Sequence, residues 1–169
     1  GDFLRDEGKE DEAIRAYQNA ISSYSREIAL VGKLRIANIK AQRPYSDEYL
    51  EAIKVYEGIT SLYPDTPQAE EAMLRKGLTL TQYGLFTPAI KSLEEFMQKY
   101  PQNIYVKRNL IQENIDENLK GLIDGHFREG DNFALVSAYN DYKVKYLFNF
   151  RFDTTLFQTA AAHRRLGFF

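Results

Sequence analysis

Two octets decide the fold: Tyr49-Leu50-Glu51-Ala52-Ile53-Lys54-Val55-Tyr56 and Phe86-Thr87-Pro88-Ala89-Ile90-Lys91-Ser92-Leu93. Each opens on an aromatic residue, passes two spacers, reads Ala-Ile-Lys and closes on a large apolar residue. A Tyr-Pro follows both, as Tyr63-Pro64 and Tyr100-Pro101, so the alanines and the prolines recur at the same interval of 37 residues. Upstream, Ala13-Ile14-Arg15-Ala16-Tyr17 is the same element, 39 residues before Ala52. Downstream the echo is looser. Gly84-Leu85-Phe86 returns as Gly130-Asp131-Asn132-Phe133 after 46 residues and as Gly167-Phe168-Phe169 after a further 37. About nine extra residues therefore enter near 102–125, in a chain built from an internal repeat.

The spacing inside each unit is helical. Ala89, Leu93, Phe96 and Met97 fall at i, i+4, i+7 and i+8, one stripe of a helix. Ile53, Tyr56, Ile59, Thr60 and Tyr63 form another. Pro64, Pro67 and Pro101 stand where one helix must end and the next can begin. Thr66 reads as an N-cap, with Pro67 at the first helical position and Glu70 in the favourable first turn. The pattern predicts an all-α chain of about eight helices near 11–24, 27–42, 47–63, 67–83, 87–100, 104–128, 133–147 and 153–166. Residues 139–152 are rich in β-favouring aromatics, but Tyr139, Tyr142 and Tyr146 sit at i, i+3 and i+7, so this stretch is read as helix. Ala13, Ala52 and Ala89 are expected to be close-approach positions between paired helices.

Composition bounds the function. With 169 residues, 44% hydrophobic, the chain can bury a core. Lys+Arg 22 against Asp+Glu 24 gives a net charge of -2, which offers nothing to attract nucleic acid or an anionic membrane. There is no cysteine, hence neither disulfide nor thiolate metal site. No apolar run approaches the ~20 residues that span a bilayer, so membrane insertion is not expected. No signal peptide or lipidation motif is visible, and the chain opens on Gly1-Asp2-Phe3, which reads as an excised fragment.

Chemistry-bearing constellations are missing too. His126 and His163 stand 37 residues apart, one repeat period, and read as the same large-residue slot in successive repeats rather than as metal ligands or a general base. Glu70-Glu71, Glu94-Glu95 and Asp116-Glu117 read as solvated faces, because neighbours on a helix diverge by about 100°. There is no phosphate-binding loop, nucleophile elbow or Ser/His/Asp set. Catalytic, cofactor-binding and metal-binding residues are all expected to be none. The 12 Tyr and 11 Phe are expected chiefly to pack between helices, with a few left for a partner or subunit contact.

Within 70–103, Gly77, Ala89 and Pro101 are separated by twelve residues each, with Leu80, Phe86 and Leu93 at large apolar positions. This resembles the tetratricopeptide repeat (TPR). Lys76 stands where that family usually has Leu, Phe96 replaces a usual Ala, and 37 exceeds the family's ~34-residue period. A closer likeness is to long-period repeats of bacterial envelope proteins of the BamD and CpoB (YbgF) kinds. It rests on Tyr63-Pro64-Asp65-Thr66-Pro67-Gln68-Ala69-Glu70-Glu71-Ala72 and on Ala89-Ile90 through Phe96 to Tyr100-Pro101.

The resemblance implies a right-handed superhelical solenoid of antiparallel helix pairs. It would be a single array with units near 1–25, 26–65, 66–102, 103–148 and an incomplete 149–169. It implies a non-enzymatic scaffold, possessing no cofactor, that takes a protein or peptide segment in a concave groove. The bacterial periplasm or the periplasmic face of the outer membrane is the implied location, with the cytoplasm as the alternative. Partner-facing positions implied by the family are Glu71, Leu74, Leu78 and Thr81, then Glu117, Lys120, Asp124 and Phe127, then Thr154, Phe157, Ala161 and Arg164. The alternative function is self-assembly. The chain stops in what the repeat frame reads as the turn after a first helix, so Phe157, His163, Leu166, Phe168 and Phe169 are expected to form an uncovered end that self-associates.

Overall fold

Residues 1–23, 25–43, 47–143, 145 and 153–168 are described by the computed structural model. Ten helices and no strand occur among them. They are α1 (Asp2–Asp6), α2 (Glu10–Ser23), α3 (Arg26–Gln42), α4 (Glu48–Leu62), α5 (Pro67–Gln82), α6 (Phe86–Lys99), α7 (Ile104–Lys107), α8 (Leu110–Glu129), α9 (Asn132–Lys143) and α10 (Asp153–Arg165). In the repeat frame α1, α3, α5, α8 and α10 are first helices and α2, α4, α6 and α9 are second helices. The all-α class and TPR-like helix succession match the sequence reading.

Local chemistry sets the boundaries. Before α5 the Thr66 hydroxyl accepts the Ala69 N–H at 3.2 Å, so Thr66 caps a helix whose first residue is Pro67. Before α9 the Asp131 carboxylate accepts the Ala134 N–H at 2.9 Å. The first helices α1, α5, α8 and α10 end in one recurring turn. Gly8, Gly84, Gly130 and Gly167 have φ of +70 to +80°, a region that penalises any side chain. The amide of the residue after the glycine bonds back across the helix end, Leu85 N–H to the Leu80 carbonyl at 2.9 Å, Asp131 to His126 at 3.0 Å and Phe168 to His163 at 3.0 Å.

The expected single helix over 104–128 is two. Asn109 adopts φ +58°, the left-handed region that asparagine tolerates better than most residues, and this breaks the chain between α7 and α8. The extra residues of this repeat thus become the short helix α7, its turn, and a 20-residue α8. The helix expected to 147 ends at Lys143, and Tyr146, on which that expectation leaned, lies outside the described residues. The segment before Gly8 forms the short helix α1.

The chain forms two compact units, Gly1–Thr79 and Leu80–Phe169. In the first, α1 packs on α2, α2 on α3 and α3 on α4. Leu30, Leu34, Ala37, Ala41, Ala52, Tyr56, Ile59, Ala69 and Ala72 share one core, and Ala13, Tyr17 and Ile39 another. Lys76, where a TPR usually has Leu, pairs with Glu57 at 2.9 Å. Arg43 bonds Glu10, Asp11 and Glu48, joining the starts of α2 and α4. In the second unit α6 packs on α8, α8 on α9, and α10 on both α8 and α9. Ile90, Leu93, Phe96, Ile111, Ile115, Leu119, Ile123 and Leu135 fill its interior.

Ala13, Ala52 and Ala89 have no exposed surface, as close-approach positions must. Ala89→Leu should therefore lower stability by ~1–3 kcal/mol through overpacking. The exposed Lys91→Gln should stay within about ±0.5 kcal/mol. Urea unfolding of both variants decides it. Equal, negligible effects would break the repeat register.

Candidate protein-binding surface

The partner-facing positions named by the repeat frame do not share one environment. In the first unit, Leu74 is only 8% exposed, so most of its side chain packs inward. Leu78 is half-buried. Glu71 is not on a solvated face. Its carboxylate accepts from the Arg35 guanidinium at 3.2 Å and the Asn38 amide at 3.1 Å, with Arg75 Nε 3.7 Å away.

This contact belongs to a chain of polar groups along the first helices. The Tyr17 hydroxyl donates to Asp2, Asp2 lies 3.9 Å from Arg35 Nε, and Arg35 reaches Glu71. The Tyr56 hydroxyl donates to Asn38 Oδ1 at 2.8 Å. Burial pushes the Tyr56 phenol well above its ordinary value. Burial and the hydrogen bond to Asp2 push Tyr17 up to about 12, and that same bond holds Asp2 below the usual carboxylate range.

In the second unit, Thr81 accepts from the buried Asn118 amide at 2.8 Å. Asp124 accepts from Gln158 at 2.8 Å, and the Arg165 guanidinium lies 5.2 Å over the Phe127 ring. These three groups serve contacts between successive first helices, and half-burial leaves each a limited face for anything else. Lys120 is half-buried; Glu117, Thr154, Phe157 and Arg164 are exposed. Phe157, 69% exposed, lines a cleft of about 580 Å³ with Ala160, Ala161, Arg164 and Arg165.

Arg35, Asn38 and Asp2 were not foreseen, yet a signal existed. Stepping back 36 residues from Glu71 lands on Arg35, and a further 33 on Asp2. Asn118 meets Thr81 across 37 residues and Gln158 meets Asp124 across 34. Polar side chains about one period apart on first helices therefore touch. Among the described residues no three His, Asp or Glu side chains converge as a metal ion would require. No described helix is long and apolar enough to cross a membrane.

Residues 71–103, most of α5 and all of α6, match the tetratricopeptide repeat family. This stretch resembles a TPR. Gly77 and Ala89 are both buried within it, at the first two of the three positions separated by twelve residues. TPRs generally form protein-interaction surfaces and are generally not enzymes. No curated protein matches the chain.

Asp116, half-buried on α8 beside Glu117, supplies a test of the surface's electrostatics. Burial raises its carboxyl above the ordinary value, the charge of Glu113 adds to this, and the Gln112 amide at 2.9 Å works against both. The folded chain therefore holds this proton more tightly than the unfolded chain, and this group lowers stability as pH rises through the carboxylate range. Asp116→Asn should be the more stable protein at pH 7, with the gain vanishing as pH falls below 3.8. Thermal unfolding across that range checks it; a gain independent of pH would refute the assignment to charge burial.

Proposed function

We propose that this protein is a non-enzymatic scaffold that binds a protein segment along the exposed stripe of its first helices. The observation that carries the reading is the register of those helices. Contacts such as Arg35 to Glu71 and Gln158 to Asp124 align equivalent positions of neighbouring repeats. These contacts tie first helix to first helix, and outward charges such as Glu117 remain available. In such a surface apolar contacts supply affinity and charges supply register, whether the ligand is a helix or an extended strand. An envelope role is part of this proposal, supported by the phrases at 63–72 and 89–101; fractionation of cells carrying a tagged copy reads it directly.

A photo-crosslinker placed at Glu117 or Lys120 should capture a defined partner in the native host, identified by mass spectrometry. The same group at Glu95, exposed on a second helix, should capture it far less. Capture from Glu95 alone would move the binding surface off the first helices.

A second reading, self-association, is favoured by α10. Phe157 and Phe168 are 69% and 61% exposed, and Leu156 is exposed beside them. Phe169 lies outside the described residues.

A further inference from the structure

Among the described residues, five buried side-chain atoms meet no protein partner: Ser92 Oγ, Asn118 Oδ1, His126 Nδ1, Thr155 Oγ1 and Gln158 Oε1. A buried polar atom without a bond is costly, so each one asks for an explanation. Asn118, Thr155 and Gln158 sit on two successive first helices of the second unit, α8 and α10, which pack on each other.

The register of that seam follows from two contacts. Gln158 Nε2 donates to Asp124 at 2.8 Å, and further along both helices Arg165 lies over Phe127, so α8 and α10 run in the same direction. Gln158 therefore faces α8. Thr155 lies three residues earlier on the same side of α10 and has no exposed surface. It stands level with the turn of α8 that precedes Asp124. Asn118, also fully buried, lies within about 4.5 Å of helix rise of that level. Its amide is oriented from the other side: Nδ2 donates to Thr81 on α5 at 2.8 Å and to the Asn114 carbonyl at 2.7 Å, so Oδ1 is turned away from α5. The helix that follows α8 in the succession of first helices is α10. Thr81, Asn118 and Thr155 are spaced by 37 residues each, so Thr155 stands to Asn118 as Asn118 stands to Thr81.

The chemistry of the three atoms names what joins them. Asn118 Oδ1 and Gln158 Oε1 are amide oxygens and only accept, while the Thr155 hydroxyl has a single proton to give. A direct bond from Thr155 to either oxygen would leave the other unsatisfied. The second hydroxyl on this face is already used, because Thr159 Oγ1 donates to the Thr155 carbonyl at 2.7 Å. A water molecule has two protons and can accept a third bond.

We propose that the α8–α10 seam is a built water site, in which one ordered water donates to Asn118 Oδ1 and Gln158 Oε1 and accepts from Thr155 Oγ1. Three bonds are the usual complement of a buried water. Two hydrogen bonds in series span about 5–6 Å, which suits groups offset by about one turn. The same position of the repeat thus closes by a direct bond between α5 and α8 and through water between α8 and α10. The water fixes the register of α10 on α8 by directional bonds, whatever the groove binds.

A crystal structure at a resolution that shows ordered waters tests the site. A water should lie within about 3.2 Å of all three oxygens. A direct bond between Thr155 and Asn118, or no density between them, overturns the proposal. Denaturant unfolding supplies a second readout. Thr155→Val keeps the shape and removes the donor, and should raise the equilibrium constant for unfolding by about tenfold. In an Asn118→Leu background, where the water has already lost an acceptor, the same change should raise it by less than about threefold. If Asn118→Leu does not fold, Gln158→Met supplies the second background. Equal effects of Thr155→Val in both backgrounds would mean that these side chains share no ligand, and the site would fall.

Discussion

Close approach between helices, allowed by residues with almost no side chain, is the constraint on which the rest depends. A Cβ built on Gly121 of α8 would stand 2.5 Å from the Phe86 ring, and one on Gly32 of α3 would stand 2.9 Å from Ile21 Cγ1. Both glycines lie on first helices and face the preceding second helix, which can seat only because nothing intervenes. Ala13, Ala52 and Ala89, fully buried on second helices, serve the same purpose from the other partner. Once these crossings are fixed, the offset between successive first helices is fixed too. Side chains about one period apart then fall within hydrogen-bonding distance of each other.

That dependence explains what could be read from the chain and what could not. The repeat period, the alanines, the prolines and the Thr66 cap are local signals, each written in a handful of adjacent residues, and they placed most helices to within a residue or two. The break at Asn109 was hidden because asparagine is compatible with both helix and a left-handed turn. Glu71 was read as half of a solvated acidic pair because its partner lies on another helix, at a distance set by the crossing. Leu74, mostly buried, shows the same dependence on neighbouring helices. A stripe drawn by spacing alone has uncertain angular width, and Leu74 falls on its inner edge, where burial outweighs exposure.

The polar groups of the first unit also differ in kind from a surface ion-pair array. Glu71 accepts from two neutral or cationic donors while Asn38, which supplies one of them, accepts from the buried Tyr56. Each member is held by another, so the arrangement resists loss of any single contact more through geometry than through Coulomb energy, which water and salt screen at half-exposed sites. Such mutual holding specifies one helix register among the several that apolar packing alone would tolerate.

The left-handed glycine turns set three of the chain's connections apart. After α1, α5 and α8 the turn is two or three residues long and stereochemically closed: its glycine and its backward-reaching amide leave no place for an added residue. The links from a second helix to the next first helix obey no such rule. They include the cap at Thr66 and the whole of α7 with its turns, so a length change there has already been absorbed. Evolutionary insertions, engineered tags and protease recognition sequences should accordingly be accepted at one class of junction and rejected at the other, giving the molecule a built-in polarity of tolerance.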